Sequence, residues 1–314
     1  MLGFLPIDHW NSGAELSLSS EVSIVRRSQN VPDLRIWDCF LTREDLYELG
    51  SWPFWIQYKG ENPHLDLAIR HTEATNALDR AVLTTQILMP SGSPNVRLLC
   101  DPGGMNPVCF RQNRFHEARW ARIGLVAHPD LADFSSIFNA VGSALTSGPG
   151  RLLNPIRLLE HGLQSSERLV RLLLFTAGLD MILMAMKRDP FVERISRLLG
   201  PQTFVFPPSH RTKDQPKYVV EDLAPDIFCV RNEIAHGKII PSKYLAKTGF
   251  LTADGLDALD LGTDDSPCQY LDVLSQGAAF LLSNALGKVL ADPSLMREIG
   301  NHYCPAISRA RSVG

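Results

Sequence analysis

Apolar residues recur at helical spacing through most of the second half of the chain. Residues 152–187 predict one long helix or two abutting helices, apolar on nearly every side beyond Leu169. Helices that are apolar all round belong in the middle of a bundle. Amphipathic segments follow over 191–199, about 222–236, and 270–290. The pattern therefore predicts a bundle of roughly four or five helices in the C-terminal half.

The first half of the chain has a mixed pattern. Alternation predicts strands at 21–25 and, more weakly, at 34–40, and a further brief strand at 96–100. Thr42, followed by an acidic turn, predicts the start of a short helix. A long helix is expected over 64–89. This half is therefore expected to be a smaller α/β region.

Two local features bear on this organisation. The aromatic cluster at 52–55 indicates a turn, with packing as its expected use and ligand stacking as the alternative. The run Thr-Ser-Gly-Pro-Gly at 146–150 has the composition of a linker. We therefore expect an N-terminal mixed region over residues 1–150, acting in sensing or target recognition, and a helical domain over 151–314. The fold class expected for the whole chain is mainly α.

The segment near residue 230 carries the most distinctive polar pattern. On a helix over about 222–236, an apolar stripe forms at i, i+4, i+7 and i+11, with Pro225 in the first turn and Gly237 at the end. The helical wheel places Asn232 and His236 opposite that stripe and Arg231 on its flank. The residues of the stripe are Leu223, Ile227, Val230 and Ile234. Spacing alone favours a capping histidine and a surface arginine.

The run Arg231-Asn232-…-His236-Gly237 resembles the signature of HEPN domains, in which an arginine, often followed by a polar residue, precedes a histidine by a few positions. The long apolar helix before it resembles the Apea-like and related bacterial HEPN groups. The resemblance covers roughly residues 151–290. It implies a HEPN-like helical bundle and a metal-independent ribonuclease that works as a dimer whose motif helices meet.

The residue types in this motif suit RNA cleavage. RNA supplies its own nucleophile, the ribose 2′-OH, so the protein must provide a proton acceptor and a cation. The imidazole of His236 is expected to be the base, because histidine exchanges protons near neutral pH. Arg231 is expected to hold the phosphate, and Asn232 to orient the imidazole or bind the phosphate. The expected product carries a cyclic 2′,3′-phosphate.

Two basic stretches are candidate RNA contacts. The segment 111–122 carries arginines among aromatic residues, and if it is helical, Arg111, Arg114 and Arg122 share a face that suits phosphate binding and base stacking. By itself, the pattern of this segment favours a solvated face whose arginines cover apolar surface. The loop at 201–217 offers Arg211 and Lys213 for the RNA backbone, or is simply mobile.

Composition narrows the remaining possibilities. A net charge of −3 and a pI near 6.3 give no overall polycation, so RNA contacts must be local. The 6 cysteines are scattered without a Cys-x-x-Cys pair, which favours a reducing, cytoplasmic location. We see no metal-ligand spacing and expect neither a metal nor another cofactor. The N-terminus lacks the pattern of a signal peptide, and the longest apolar run is shorter than a membrane span, so no membrane association is expected.

The main hypothesis is a HEPN endoribonuclease that cleaves RNA, with a role in phage defence or as a toxin implied by the resemblance alone. The second is a non-catalytic HEPN module for dimerisation or RNA binding, with the N-terminal region as sensor. A third is a structural helical protein in which the motif is accidental. A homodimer is expected through the motif-helix face bearing Phe228 and His236, because the wheel turns both residues away from the apolar stripe.

Overall fold

The computed structural model describes residues 1–6, 15–60, 65–88, 90, 96–111, 131–146, 150–165, 167–206, 218–238, 240 and 269–300. Across these ranges the chain is mostly helical, with an antiparallel sheet near its N-terminus. The expected fold class, mainly α with a mixed N-terminal region, is confirmed at this level.

The described chain forms two compact units. The first contains the described parts of residues 1–85, 93–114 and 128–141. The second contains the described parts of 86–92 and of the chain from residue 142 onward. The domain boundary expected near residue 150 stays a prediction.

The bounds of the elements are as follows. The strands are β1 Leu2–Pro6, β2 Leu16–Ser17, β3 Val22–Arg26, β4 Phe54–Lys59, β5 Val96–Cys100 and β6 Val108–Arg111. The helices are α1 Arg27–Asn30, α2 Arg43–Ser51, α3 Leu67–Leu88, α4 Leu131–Thr146, α5 Gly150–Gln164, α6 Arg168–Leu183, α7 Arg188–Leu199, α8 Val220–Ala235, α9 Gln269–Ala291 and α10 Pro293–Gly300. A 3₁₀ helix spans Leu34–Trp37.

The sheet of the first unit has the strand order β2-β3-β4-β1-β5-β6, and every neighbouring pair is antiparallel. Strand β1 lies in the interior, where Phe4 stands opposite both Gln57 of β4 and Leu98 of β5. A Cβ on Gly3 would lie 3.1 Å from the Leu99 side chain and 3.3 Å from that of Leu78. Glycine at this position therefore lets α3 pack closely on the sheet.

The second face of the sheet covers a core of its own, which includes Phe4, Trp37 and Trp55. The predicted strand at 34–40 is wrong, because Asp33 caps the backbone of Arg35 and starts the 3₁₀ helix instead. A 3₁₀ helix repeats every three residues, so Leu34 and Trp37 both reach this core. The predicted strands at 21–25 and 96–100 are confirmed.

The structure also tests the predicted helix cap at Thr42 and the predicted turn at 52–55. Thr42 forms the expected helix cap, since its hydroxyl accepts from the backbone N–H of Asp45 and the Asp45 carboxylate accepts from Thr42 in return. The aromatic cluster at 52–55 is not a turn throughout, because strand β4 begins at Phe54. Trp55 is fully buried, so its side chain packs in the core.

The second unit is a bundle in which α9 packs against α5, α6, α7, α8 and α10. Two glycines allow neighbouring helices to pack closely against α9. A Cβ on Gly178 of α6 would lie 2.7 Å from a Leu282 methyl group, and one on Gly277 of α9 would lie 2.2 Å from a methyl group of Leu223 on α8. Helices α6 and α8 therefore share α9 as their packing partner.

Two helical features of the bundle relate to the membrane prediction. The segment Val273–Ala291 is long and apolar enough to cross a membrane, and 83% of it is buried within the structure. Helices α6 and α7 taken together are also long and apolar enough, with a bend of 76° between them. The absence of a membrane partner stays a prediction.

Candidate functional site

The motif helix α8 is one arm of a helical hairpin with α7. The backbone N–H of Val220 donates to the carbonyl of Thr203 at 3.0 Å, and that of Glu221 donates to Pro201 at 3.1 Å. These bonds tie the start of α8 to the end of α7, so the two helices run antiparallel. The start of α7 and the end of α8 consequently lie at the same end of the hairpin, which we call its open end.

The buried side of α8 includes three of the four residues expected there. Leu223, Ile227 and Val230 are fully buried, whereas Ile234 is only partly buried near the end of the helix. Helix α8 begins at Val220, two residues earlier than expected, so Pro225 lies in the second turn and not the first. The expectation for Pro225 was therefore wrong.

Gly237 ends the motif helix in the way the sequence predicts. Its φ is +64°, in the left-handed region. The N–H of Gly237 donates to the carbonyl of Ile234 at 3.0 Å, and the N–H of Lys238 donates to that of Glu233 at 2.8 Å. This pair of bonds is a Schellman motif. It leaves His236 as an exposed capping residue at the open end.

Arg231 is the most constrained of the three predicted catalytic residues. Its Nη2 donates to Oδ2 of Asp180 on α6, forming an ion pair. Its Nη1 donates to Oδ1 of Asn232 at 2.8 Å. The guanidinium also lies 5.5 Å from the centre of the Phe228 ring. These contacts hold Arg231 in one orientation, with 24% of its side chain still exposed.

Asp180 was missed as a site residue by sequence reasoning. The available signal was its position as a lone carboxylate in an otherwise apolar stretch of α6, between Leu179 and Met181. Burial raises the pKa of the Asp180 carboxyl to about 6, although the charge and hydrogen bond of Arg231 act to lower it. Its second oxygen, Oδ1, is buried and has no hydrogen-bond partner among the described residues.

The three predicted catalytic residues are only partly brought together. The side chain of Asn232 binds Arg231, and its described contact with His236 is a backbone bond from the His236 N–H at 3.0 Å. At about 100° per residue, Arg231 and His236 point about 140° apart around the helix axis. Within one chain the cation and the imidazole therefore leave the helix on different sides.

Phe228 does not lie on the surface, and the expectation that it faces outward was wrong. Only 3% of it is exposed, and its ring lies 5.2 Å from that of Phe191 on α7. The helical wheel identified one buried side of α8, whereas α7 covers a second side. Because Phe228 is buried, it cannot contribute to a dimer surface.

Sequence reasoning also missed a basic surface at the open end. Lys187 and Arg188 stand at the N-terminus of α7 and are exposed. Phe191, one turn further on, contacts Phe228, one turn before Arg231 and Asn232 on the antiparallel helix. Lys187 and Arg188 are therefore at the same level of the hairpin as the motif. We call these two residues the α7 basic pair.

The end of α6 is held next to this surface. Nη1 of Arg194 on α7 donates to the carbonyls of Leu183 at 2.8 Å and Met184 at 2.5 Å. Met184 has a φ of +52°, which turns the chain from α6 into α7. Arg194 thus caps the helix that carries Asp180, and it is not a free cation of the open end.

The predicted RNA-contact residues lie almost entirely outside the described residues. This applies to Arg114, Arg122, Arg211 and Lys213. Arg111 is the last residue of β6, where its backbone pairs with Val96, and its side chain is likewise outside the description. Their role in binding RNA stays a prediction.

No group of three or more His, Cys, Asp or Glu side chains in the described part of the chain is placed to hold a metal ion. The described side chains at the open end include one held arginine, one exposed imidazole and the α7 basic pair. Comparison of the chain with models of protein families, with curated proteins and with solved structures found no match, so the resemblance to HEPN domains rests on the motif residues and the apolar helix before them.

Proposed function

We propose that this protein is a metal-independent endoribonuclease of the HEPN type. The observation that carries the proposal is the arrangement at the open end, where Arg231 is fixed by Asp180 and Asn232 while His236 is exposed one helical turn after Asn232. A fixed cation and a titratable base are the groups that 2′-OH attack on a phosphodiester requires.

The proposed reaction uses the residues as follows. His236 takes the proton of the ribose 2′-OH, and the 2′-oxygen forms a bond to the adjacent phosphorus. The bond from phosphorus to the 5′-oxygen of the next nucleotide breaks, and that oxygen takes a proton from water. The guanidinium of Arg231 binds the phosphate oxygens, on which negative charge increases in the transition state. The products are a cyclic 2′,3′-phosphate and a 5′-hydroxyl.

A homodimer through the motif helix is part of the proposal. Arg231 and His236 leave α8 on different sides. When Arg231 of one copy holds a phosphate, His236 of a second copy is therefore better placed to take the proton of the adjacent 2′-OH. The surface available for this contact contains the exposed Ala235 and His236 and the partly buried Asn232, not Phe228. Replacing Ala235 with arginine should yield monomers in light scattering and reduce cleavage, whereas an unchanged dimer would place the interface elsewhere.

The test of activity uses purified protein, a single-stranded RNA and an all-DNA oligonucleotide of the same sequence, with excess EDTA. We expect cleavage of the RNA alone, with cyclic phosphate ends detected by mass spectrometry. His236→Ala and Arg231→Ala should lose activity. Matched controls are His161→Ala, an exposed histidine on α5, and Arg157→Ala, an arginine paired with Glu160 at 2.8 Å on α5.

Other outcomes are equally informative. Cleavage that requires magnesium, or that survives in His236→Ala, would contradict the proposal. RNA binding without cleavage would favour the alternative of a non-catalytic HEPN module. A role in phage defence or as a toxin, with the first unit as sensor, extends the proposal and depends on the family resemblance.

A further inference from the structure

The ion pair between Asp180 and Arg231 holds the guanidinium in place and is still partly exposed to solvent. It joins α6 to α8 at the open end, where Arg231 remains 24% exposed and Asp180 remains 17% exposed. A guanidinium has five N–H donors, and the described bonds of Arg231 use two of them. The remaining donors belong to a cation that is fixed in place and still in contact with solvent.

The carboxyl of Asp180 is incompletely satisfied. Oδ2 accepts from Arg231, whereas Oδ1 is buried without a hydrogen-bond partner among the described residues. Leaving a buried carboxylate oxygen unpaired disfavours the charged form. Arg231 therefore stabilises the charged form of Asp180, whereas burial destabilises it. A small change in either effect alters the fraction of Asp180 that is protonated.

The arginines near Asp180 on the neighbouring helices have described hydrogen-bond partners. Arg231 of α8 is the described cation on its carboxyl. Arg194 of α7 and Arg151 of α5 donate to backbone carbonyls of α6, at residues 183–184 and 181, and not to the carboxyl. On α9, the apolar side chain of Leu282 lies against Gly178, two residues before Asp180. Arg231 is consequently the principal charge coupled to Asp180.

We propose that Asp180 is a positioning residue for Arg231, which fixes the guanidinium while cancelling its charge, and that neutralising the Asp180 carboxylate frees a full positive charge for an RNA phosphate. The RNA part of this inference rests on the proposed function. At neutral pH the pair would carry no net charge, and the site would bind RNA weakly. Protonation of Asp180, which burial favours, would raise the affinity of the site for phosphate.

The first experiment needs no RNA. The Nε–H resonance of Arg231 is followed by NMR between pH 5 and 8, in the full-length wild type and in Asp180→Asn. We expect a pH-dependent shift in the wild type that the variant lacks. The control Glu160→Gln removes the carboxylate of a matched pair on α5 and should leave the Arg231 resonance unchanged. Identical Arg231 titrations in wild type and Asp180→Asn would overturn the proposal.

The second experiment measures the binding of a fluorescent single-stranded RNA in a His236→Ala background, in which no cleavage is expected. Asp180→Asn should bind more tightly, with a slope of log affinity against log salt steeper by about 0.7, the value for one added phosphate contact on a single strand. It should also lose the gain in affinity on acidification from pH 7.5 to 5.5. An unchanged slope in a folded Asp180→Asn protein that binds RNA would contradict the proposed charge control.

The two experiments separate this inference from the proposed function. If the NMR titration shows coupling but neither protein binds RNA, the ribonuclease proposal fails and the positioning of Arg231 by Asp180 stands. If RNA is cleaved but the Arg231 resonance is insensitive to Asp180, the ribonuclease proposal stands and this inference fails.

Discussion

The rings of Phe191 and Phe228 lie 5.2 Å apart and join α7 to α8 one helical turn before the motif residues. This contact sets the level at which the start of α7 meets the end of α8. The α7 basic pair and the motif are therefore on one surface because of an aromatic contact that neither segment reveals alone. Stability and function can be separated at this end of the hairpin by substitution.

Replacing Phe228 with alanine should destabilise the second unit. Removal of a fully buried phenyl ring costs about 3–5 kcal/mol, and glutamate at this position should be worse because it also buries a charge. We expect a lower free energy of unfolding, measured by urea unfolding with circular dichroism as the signal. Tyr47→Ala is the control, since 84% of Tyr47 is exposed. A stable, well-folded Phe228→Glu monomer would restore the idea that Phe228 lies in an interface.

Replacing Arg231 with alanine should reduce stability as well as activity. Without its cation, the partly buried Asp180 carboxylate is left uncompensated. The cost of breaking a fully buried pair is several kcal/mol, and the partial exposure here suggests about 1–2 kcal/mol. The loss should be larger at pH 7 than at pH 5, where Asp180 can take a proton. Equal destabilisation at both pH values would argue against a carboxylate that depends on Arg231.

The stability of the wild type should itself depend on Asp180. Its folded-state pKa of about 6 is raised above the ordinary value of 3.8, so the folded state binds a proton more readily than the unfolded state. This group therefore favours folding at low pH, and its contribution is lost as the pH rises through about 6.

Because the carboxyl keeps some contact with solvent, we expect a difference of only about 1 kcal/mol from this group between pH 4 and 7. Urea unfolding of Asp180→Asn should lack this dependence, and Glu160→Gln should retain it. The same pH profile in wild type and Asp180→Asn would show that another group is responsible.

Replacing His236 with alanine should abolish cleavage without loss of stability. General acid–base catalysis by one positioned group contributes about 10²–10⁴-fold, so the cleavage rate should fall by at least 10²-fold. His236 is an exposed capping residue, and the Schellman bonds use backbone atoms, so the melting temperature should change little. Wild-type activity in His236→Ala, compared with His161→Ala, would exclude His236 as the base.

Removing both charges of the α7 basic pair should weaken RNA binding. In Lys187→Ala/Arg188→Ala, the slope of log affinity against log salt should become shallower by about 1.4, or about 0.7 for each lost phosphate contact. The control is Arg43→Ala/Lys59→Ala, which removes two exposed cations from the first unit. If both double variants change the slope equally, only net charge matters and the α7 basic pair is not an RNA contact.

The sequence by itself determined the features that depend on local patterns. The apolar spacing of Leu223, Ile227 and Val230 predicts the buried side of α8, and Gly237 marks its end because a left-handed residue there is least costly for glycine. Thr42 and Asp45 predict a helix start for the same kind of local reason. These features involve residues within one or two turns of each other.

Only the tertiary structure decided the features that join distant segments. Asp180 and Arg231 are 51 positions apart, and no periodicity links them. Phe228 is buried because a second helix covers it, and a helical wheel contains no information about how many neighbours a helix has. A strand was predicted where the structure has the 3₁₀ helix Leu34–Trp37. Buried side chains can be spaced by three residues, as in this helix, or by two, as in a strand, and the short sequence pattern did not distinguish the two. Pattern determines which residues lie on a common side of an element, whereas packing determines what each side contacts.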